Sequence, residues 1–254
     1  MNSAIHSELA KATMTRHASE VFDAADERPR GSADLYTFEF WAPEGTIGGH
    51  LALWRWPAAG VGCYATAFFR AGEPVVALYD EFPLKATLEL RGQGLWAEHN
   101  LEQPFAHWSV GLEAFALALD DPAEDRGERI ALGYDLDWEC EPSQCSLLDD
   151  GYEQPATVRG EVLLGMNAYE LDGFGWRSHV GLNAVPSTTR RRHGMGAGTL
   201  LWSVADATRQ PGDDALGWSR SVTPAGWLDK AMFVRPDGCV GFTETWFGAV
   251  LPLR

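Results

Sequence analysis

Lysine is nearly absent from this sequence: three residues in 254, against 36 acidic side chains and a formal net charge of -16. Nucleic-acid affinity rests on clustered cations that neutralise phosphates, so neither a nucleic-acid partner nor an anionic membrane surface is expected. Long apolar runs are missing as well. No window approaches about 18 consecutive apolar residues, the length a membrane span needs. The first 30 residues carry charges throughout, where a secretory leader would have a basic start followed by an apolar stretch. A cytoplasmic chain without a membrane span is the expectation. The four cysteines, Cys63, Cys140, Cys145 and Cys239, have neither the close pairing of a zinc site nor the density of a disulfide scaffold, and read as free thiols. There is no Gly-x-Ser-x-Gly elbow, His-Glu-x-x-His, Walker loop or dinucleotide fingerprint. The seven histidines form no close i, i+2 or i+4 pair, so neither a metal nor a cofactor is expected.

Tryptophan, by contrast, is abundant, at eleven residues in a chain that is 45% hydrophobic with 27 Gly and 14 Pro. Tryptophan lines both cores and apolar binding cavities. Residues 3–26 place Ile5, Leu9, Ala12, Val21 and Phe22 at helical spacing, with a stop at Pro29 and Gly31, which predicts a short N-terminal helix or arm over 1–30. From Tyr36 the period changes to two. Tyr36, Phe38 and Phe40 alternate with Thr37 and Glu39, and similar runs recur at 61–68 and 240–246, separated by turns such as Ala71-Gly72-Glu73-Pro74. Long helical windows are scarce after residue 30, so the chain reads as all-β. His50 to Trp56 is apolar on both faces, as in a strand inside a layered core or one walling an apolar interior. A Pro-, acid- and Gly-rich stretch from Glu141 to Pro155 suggests a boundary, giving a first β domain over 31–148 and a second over 149–254.

Polar rows on the strands carry the candidate chemistry. His107, Ser109, Gly111 and Glu113 share one face, opposite Trp108, and suit a partly polar cavity. Asp135, Asp137 and Glu139 share another, opposite Trp138, and read as a solvated outer row. The basic run Arg190 to His193, followed by glycines, reads as a hairpin loop. Leu171 to Gly181 gathers Asp172, Phe174, Trp176, Arg177 and His179 around three glycines. Arg177 and His179, two apart, point to the same side of a strand.

The stretch Tyr152 to Val162, followed by Asp172-Gly173-Phe174-Gly175-Trp176-Arg177-Ser178-His179, resembles the second half of the hydroxyneurosporene synthase (carotenoid 1,2-hydratase)-like superfamily. Gly94 to His99, with His107-Trp108-Ser109-Val110 and Glu113-Ala114-Phe115, resembles strands of its first half. The resemblance implies two consecutive lipocalin-like antiparallel β-barrel or sandwich domains and an apolar small molecule bound at or between them. Members include carotenoid hydratases and cyclases of the Diels-Alderase kind. Where that group has Arg-Asp-His-Ser-Trp-Gly, this chain keeps Arg177 and His179 but has Ser178, Val180, Gly181 and Leu182 at the other positions. The acid expected beside the imidazole is therefore missing.

Two functions fit these residues. One is a cofactor-independent hydratase, isomerase or cyclase acting on an isoprenoid or polyketide-like molecule. His179 would be its proton donor or ligand-orienting group, Arg177 the electrostatic partner, and Asp172 or Glu98 the replacement acid. Trp176, Trp108, Trp138 and Phe174 would form walls, with His107 and Glu113 as polar ligand contacts. The other is a non-catalytic carrier or sensor of an apolar metabolite. Sheet edges also leave room for a homodimer.

Overall fold

The structure is a computed structural model of the chain and describes residues 33–85, 87–124, 126–148, 151–182, 189–195, 199–203, 214–223, 226–234 and 239–247. The predicted N-terminal helix lies outside the described residues. Among the described residues sixteen strands occur in chain order: β1 (Ala33–Trp41), β2 (Ile47–Trp56), β3 (Val61–Arg70), β4 (Val76–Pro83), β5 (Glu89–Gly92), β6 (Leu95–Gln103), β7 (His107–Leu119) and β8 (Gly127–Glu139). After a 3-10 turn over Pro142–Gln144 come β9 (Ser146–Leu148), β10 (Gly151–Leu164), β11 (Asn167–Leu182), β12 (Thr189–Met195), β13 (Thr199–Ser203), β14 (Asp214–Thr223), β15 (Gly226–Val234) and β16 (Val240–Phe247). All pairings are antiparallel. The all-β expectation is met, and among the described residues no helix is long and apolar enough to cross a membrane.

The larger sheet runs β4-β3-β2-β1-β11-β10-β8-β7-β6-β5, and a further pairing of β4 with β7 joins its two arms. Val76 meets Ala118 and Ala77 meets Leu117. Eight strands thus close on themselves, a number whose interior is just wide enough for side chains or one small ligand. The β5–β6 hairpin continues from the first part of β7, where β4 does not reach. The barrel runs past the division expected at 148/149, because β10 pairs with β8 and β11 pairs with β1. The polar, proline-bearing segment after Glu139 is the connection between neighbouring barrel strands.

Alternation decides which side chains enter the barrel. On β1, Tyr36, Phe38 and Phe40 point inward and join Leu51, Leu53, Tyr64, Phe68, Trp108, Leu112, Tyr134, Leu136, Trp138 and Val158 in one core. The odd positions of β1 point outward, yet all nine of its residues are buried. The cover is the second sheet, ordered β13-β12-β16-β15-β14. Met232, Val240 and Phe242 from that sheet pack on Trp41, Ala67 and Phe69 of the barrel wall. This accounts for the strands that are apolar on both faces. Truncating one of the core rings to alanine costs about 3–5 kcal/mol. The run Arg190 to His193, read above as a hairpin loop, lies in strand β12 between β13 and β16.

Candidate active site in the barrel interior

In the ladder between β1 and β11, Phe38 stands opposite Arg177 and Tyr36 opposite His179. Facing residues of an antiparallel pair share one side of the sheet, so the inward phase of β1 fixes both side chains inside the barrel. Across the next ladder, Tyr152 meets His179 and Gln154 meets Arg177. The same alternation places Gly173 and Gly175 inward. A side chain at Gly175 would run into the Trp138 indole, Val158 and the Glu39 carbonyl. Its absence lets Trp138 Nε1 donate to the Glu39 carbonyl at 3.1 Å.

Arg177 is 2% exposed. Its Nη1 donates to Tyr152 Oη at 2.7 Å, its Nη2 to Gln154 Oε1, and its Nε to Cys140 Sγ at 3.3 Å. The guanidinium also lies 5.1 Å from the Tyr152 ring centroid, 5.5 Å from that of Trp108 and 5.8 Å from that of Phe105. None of these partners is a carboxylate. Burial opposes the charge, but the Tyr152 hydroxyl and the Cys140 thiol outweigh it and leave the Arg177 pKa above its ordinary value. Burial likewise pushes the Tyr152 phenol up to about 12, with Arg177 tempering the rise. The Cys140 thiol is raised for the same reason, and Cys145 is pushed up to about 12. The cysteines are thiols, as expected, and Cys140 serves as an acceptor for the guanidinium.

His179 is 4% exposed. Its ring stacks on Tyr36 with centroids 3.8 Å apart and planes inclined at 14°, and Tyr152 meets it edge-on at 6.1 Å. Its Nε2 lies 3.8 Å from Asp34 Oδ1, at ion-pair range and longer than a hydrogen bond. Asp34 is 1% exposed, and neither of its oxygens has a hydrogen-bond partner among the described residues. Arg55 stands opposite Asp34 in the β1–β2 ladder, while its Nη2 reaches the Lys85 carbonyl at 3.5 Å. One end of the barrel interior therefore holds a carboxylate, an imidazole and a guanidinium among aromatic faces. Such a set can pass a proton between carboxylate, imidazole and a bound molecule, and can stabilise charge on a substrate oxygen.

The predicted residues divide by strand phase. His179, Arg177, Trp108 and Trp138 meet inside; Phe38 contacts Trp108 at 5.5 Å and Trp138 at 5.1 Å between ring centroids. Asp172 does not join them. It is on the outer face with its side chain 83% exposed, and it accepts from Arg159 Nε at 3.1 Å. Trp176 and Phe174 are also outward: Trp176 stands opposite Glu39 and Phe174 opposite Trp41, whose centroid is 6.5 Å away. Glu98 is half-buried opposite Gly111 and shares the outer phase of β6 with Trp96. The His107 row faces outward as well. His107 Nε2 lies 2.9 Å from Asp137 Oδ1, which also accepts from Ser109 Oγ at 2.5 Å. Burial opposes the Asp137 charge, but these two contacts outweigh it and hold the carboxyl below its usual range. Glu113 is exposed and borders an outer groove of about 560 Å³ with Trp96, Phe115, Gly133, Leu163 and Gly165.

Asp34, Tyr36, Tyr152 and Gln154 were missed as site residues. Asp34 had a readable signal, since it continues the inward phase of Tyr36, Phe38 and Phe40 by one more step. Tyr152 and Gln154 likewise alternate in phase with Val158. No signal along the chain links Asp34 to His179, because the β1–β11 ladder alone brings them together. Among the described residues no group of three His, Cys, Asp or Glu side chains is arranged to hold a metal.

Residues 31–180 match a family profile described as Domain of unknown function (DUF7064). No curated protein matches the chain. Among solved structures, the crystal structure of CghA with Sch210972 is similar at 9% identity and a TM-score of 0.34, and that of CghA alone at 10% and 0.34. Each alignment covers 86% of this chain and 58% of the other, so this chain spans just over half the length of those proteins. At that level nothing of CghA's ligand or chemistry passes to this chain.

Proposed function

The chain belongs to this family of domains of unknown function, and from that premise we propose that it is a cofactor-independent acid/base enzyme for an apolar small molecule held in the barrel interior. The observation that carries the reading is the buried Asp34–His179 pair, 3.8 Å apart and inside the barrel beside a guanidinium with no carboxylate among its described partners. Asp34 supplies the acid that the sequence lacks at Ser178. It orients the imidazole, and His179 exchanges a proton with a carbon or oxygen atom of the substrate lying against Tyr36 and Trp108.

The sign of the surrounding charge narrows the chemistry. Arg177 and His179 are two apart on one strand face, so their Cα atoms are separated by about 7 Å. A carbocation formed there would be repelled by the guanidinium, whereas negative charge developing on a substrate oxygen would be stabilised. Isomerisation or cyclisation through an enol or enolate is thus favoured over hydration of an unactivated alkene. The resemblance to hydroxyneurosporene synthase enters as support for an isoprenoid or polyketide-like substrate. The carrier is the alternative that the same experiment addresses.

That experiment begins with native mass spectrometry of the purified chain and extraction of any co-purified apolar compound. The compound is then returned to protein in heavy water. The wild type is expected to place deuterium on a substrate carbon. His179→Ala should slow this about 100-fold or more while affinity stays within about tenfold, or 1.4 kcal/mol. Undiminished exchange in that variant removes His179 from the mechanism; tight binding without any exchange leaves a carrier.

A further inference from the structure

Two buried polar groups of the barrel interior that the proposed chemistry does not use lie side by side. His99, on the inward phase of β6, is 5% exposed, and neither ring nitrogen makes a hydrogen bond among the described residues. The Leu88 backbone is close enough to favour its protonated form, but it does not meet the distance and angle of a hydrogen bond. Tyr64, on β3, is fully buried, and its hydroxyl also has no hydrogen-bond partner there. The two rings meet edge to face with centroids 5.6 Å apart, and Phe38 lies 5.6 Å from His99. Leaving a buried donor or acceptor unsatisfied is costly, and interiors rarely hold two side by side without a reason. By contrast, the neighbouring Tyr134 hydroxyl is satisfied by Thr66 Oγ1 at 3.2 Å.

We infer that His99 and Tyr64 form the anchor for a neutral oxygen, a hydroxyl or a carbonyl, of the molecule bound in the barrel. Burial holds the imidazole pKa down to about 4 and pushes the phenol pKa well up, so both groups are uncharged near pH 7. Together they offer donors and acceptors without charge. A carboxylate or ammonium would enter this spot unpaired, whereas a hydroxyl or carbonyl satisfies both side chains. Along β1, the contact of His99 with Phe38 lies one inward position from Tyr36, on which His179 stacks. An anchored oxygen therefore sits about one 7 Å step from the reacting end. The ligand class is an apolar skeleton bearing a neutral oxygen remote from the bond that changes. The inference rests on the proposed function only in taking the barrel interior as the ligand site.

The test uses two probes with one C15 skeleton, farnesol and farnesene, titrated against the full chain by quenching of tryptophan fluorescence. Wild type is expected to bind farnesol at least tenfold more tightly. Tyr64→Phe and His99→Leu should each bring the ratio to within about threefold, whereas His99→Gln, which keeps a donor and an acceptor, should retain most of it. Binding of both probes with a wild-type ratio near one overturns the anchor and leaves the barrel as a ligand site. A tenfold ratio unchanged in Tyr64→Phe and His99→Leu likewise overturns it. Failure of both probes to bind overturns the interior as a site for apolar molecules, and the anchor with it. Should either variant fail to fold, the wild-type ratio alone remains decisive against the anchor.

Discussion

Strand β1 presents a buried acid to each of two different surroundings. On the outward phase, Glu39 lies in the seam between barrel and second sheet, 2.5 Å from Lys230 Nζ, and Glu244 approaches the same ammonium at 3.6 Å. Close by, His50 Nε2 meets Ser219 Oγ at 3.2 Å. On the inward phase, Asp34 faces His179 at 3.8 Å without a hydrogen bond to either oxygen among the described residues. Arg177 is bound there by a phenol, an amide and a thiol. The seam sets an ammonium directly against its acids, as a structural ion cluster does. The interior leaves its acid under-solvated and its guanidinium without a carboxylate among the described residues. Groups arranged that way are the usual currency of chemistry, because their charge remains available to a bound molecule.

The contrast can be broken by substitution. The largest effect is expected for Lys230→Met, which leaves Glu39 and Glu244 buried without their cation. Removing one partner of a buried pair costs about 3–5 kcal/mol, to be read from urea unfolding at pH 7. An unchanged midpoint would show that the seam is not held by this cluster. Asp34→Asn should be far milder. It replaces an acid that accepts no hydrogen bond among the described residues with a neutral side chain of the same shape, so the unfolding midpoint should stay near wild type while the proton exchange described above is lost. A large loss of stability in this variant would make Asp34 a structural residue like Glu39.

A pH series sharpens the same comparison. His99 has a folded pKa of about 4 because burial disfavours its charge, against an ordinary value of 6.5. Between these values the unfolded chain binds the proton and the folded chain does not. Stability therefore falls as pH drops from about 6.5 to about 4, by on the order of 3 kcal/mol, and this loss is complete below that range. His50, also lowered by burial and then by the Lys230 charge, adds to the slope with the same sign. His99→Leu should flatten the profile of unfolding midpoints over this window; an unaltered profile would show that His99 is not held neutral. The smallest effect is expected for Asp172→Ala, which removes an exposed contact with Arg159. Thermal midpoint and exchange rate should both stay near wild type. A strong loss of exchange would return Asp172 to the site.

Much of this was legible along the chain. The alternation of Tyr36, Phe38 and Phe40 identified a strand, and the spacing of Arg177 and His179 placed them on one face. The same rule separates Asp172, Phe174 and Trp176 from those two, and clustering by proximity in sequence obscured that separation. Period-two patterning says which residues share a face, but it does not say which face lies inside when a second sheet covers the other. That ambiguity put Trp176 and the His107 row among the ligand contacts. The Asp34–His179 pair and the β4–β7 closure depend on ladders between residues far apart in sequence, where no local pattern reports them. The polar stretch from Glu141 looked like a linker because its composition is that of an exposed loop, which it is in part, with a 3-10 turn and a short strand built in.

The pairing of β1 with β11 also bears on how the polypeptide emerges from the ribosome. One edge of β1 finds β2 almost at once, but the other waits for Leu182, the partner of Ala33. At translation rates of about 5–20 residues per second, that edge stays open for on the order of ten seconds. During that interval a nascent strand destined for burial on both faces offers its unpaired backbone to any neighbouring chain.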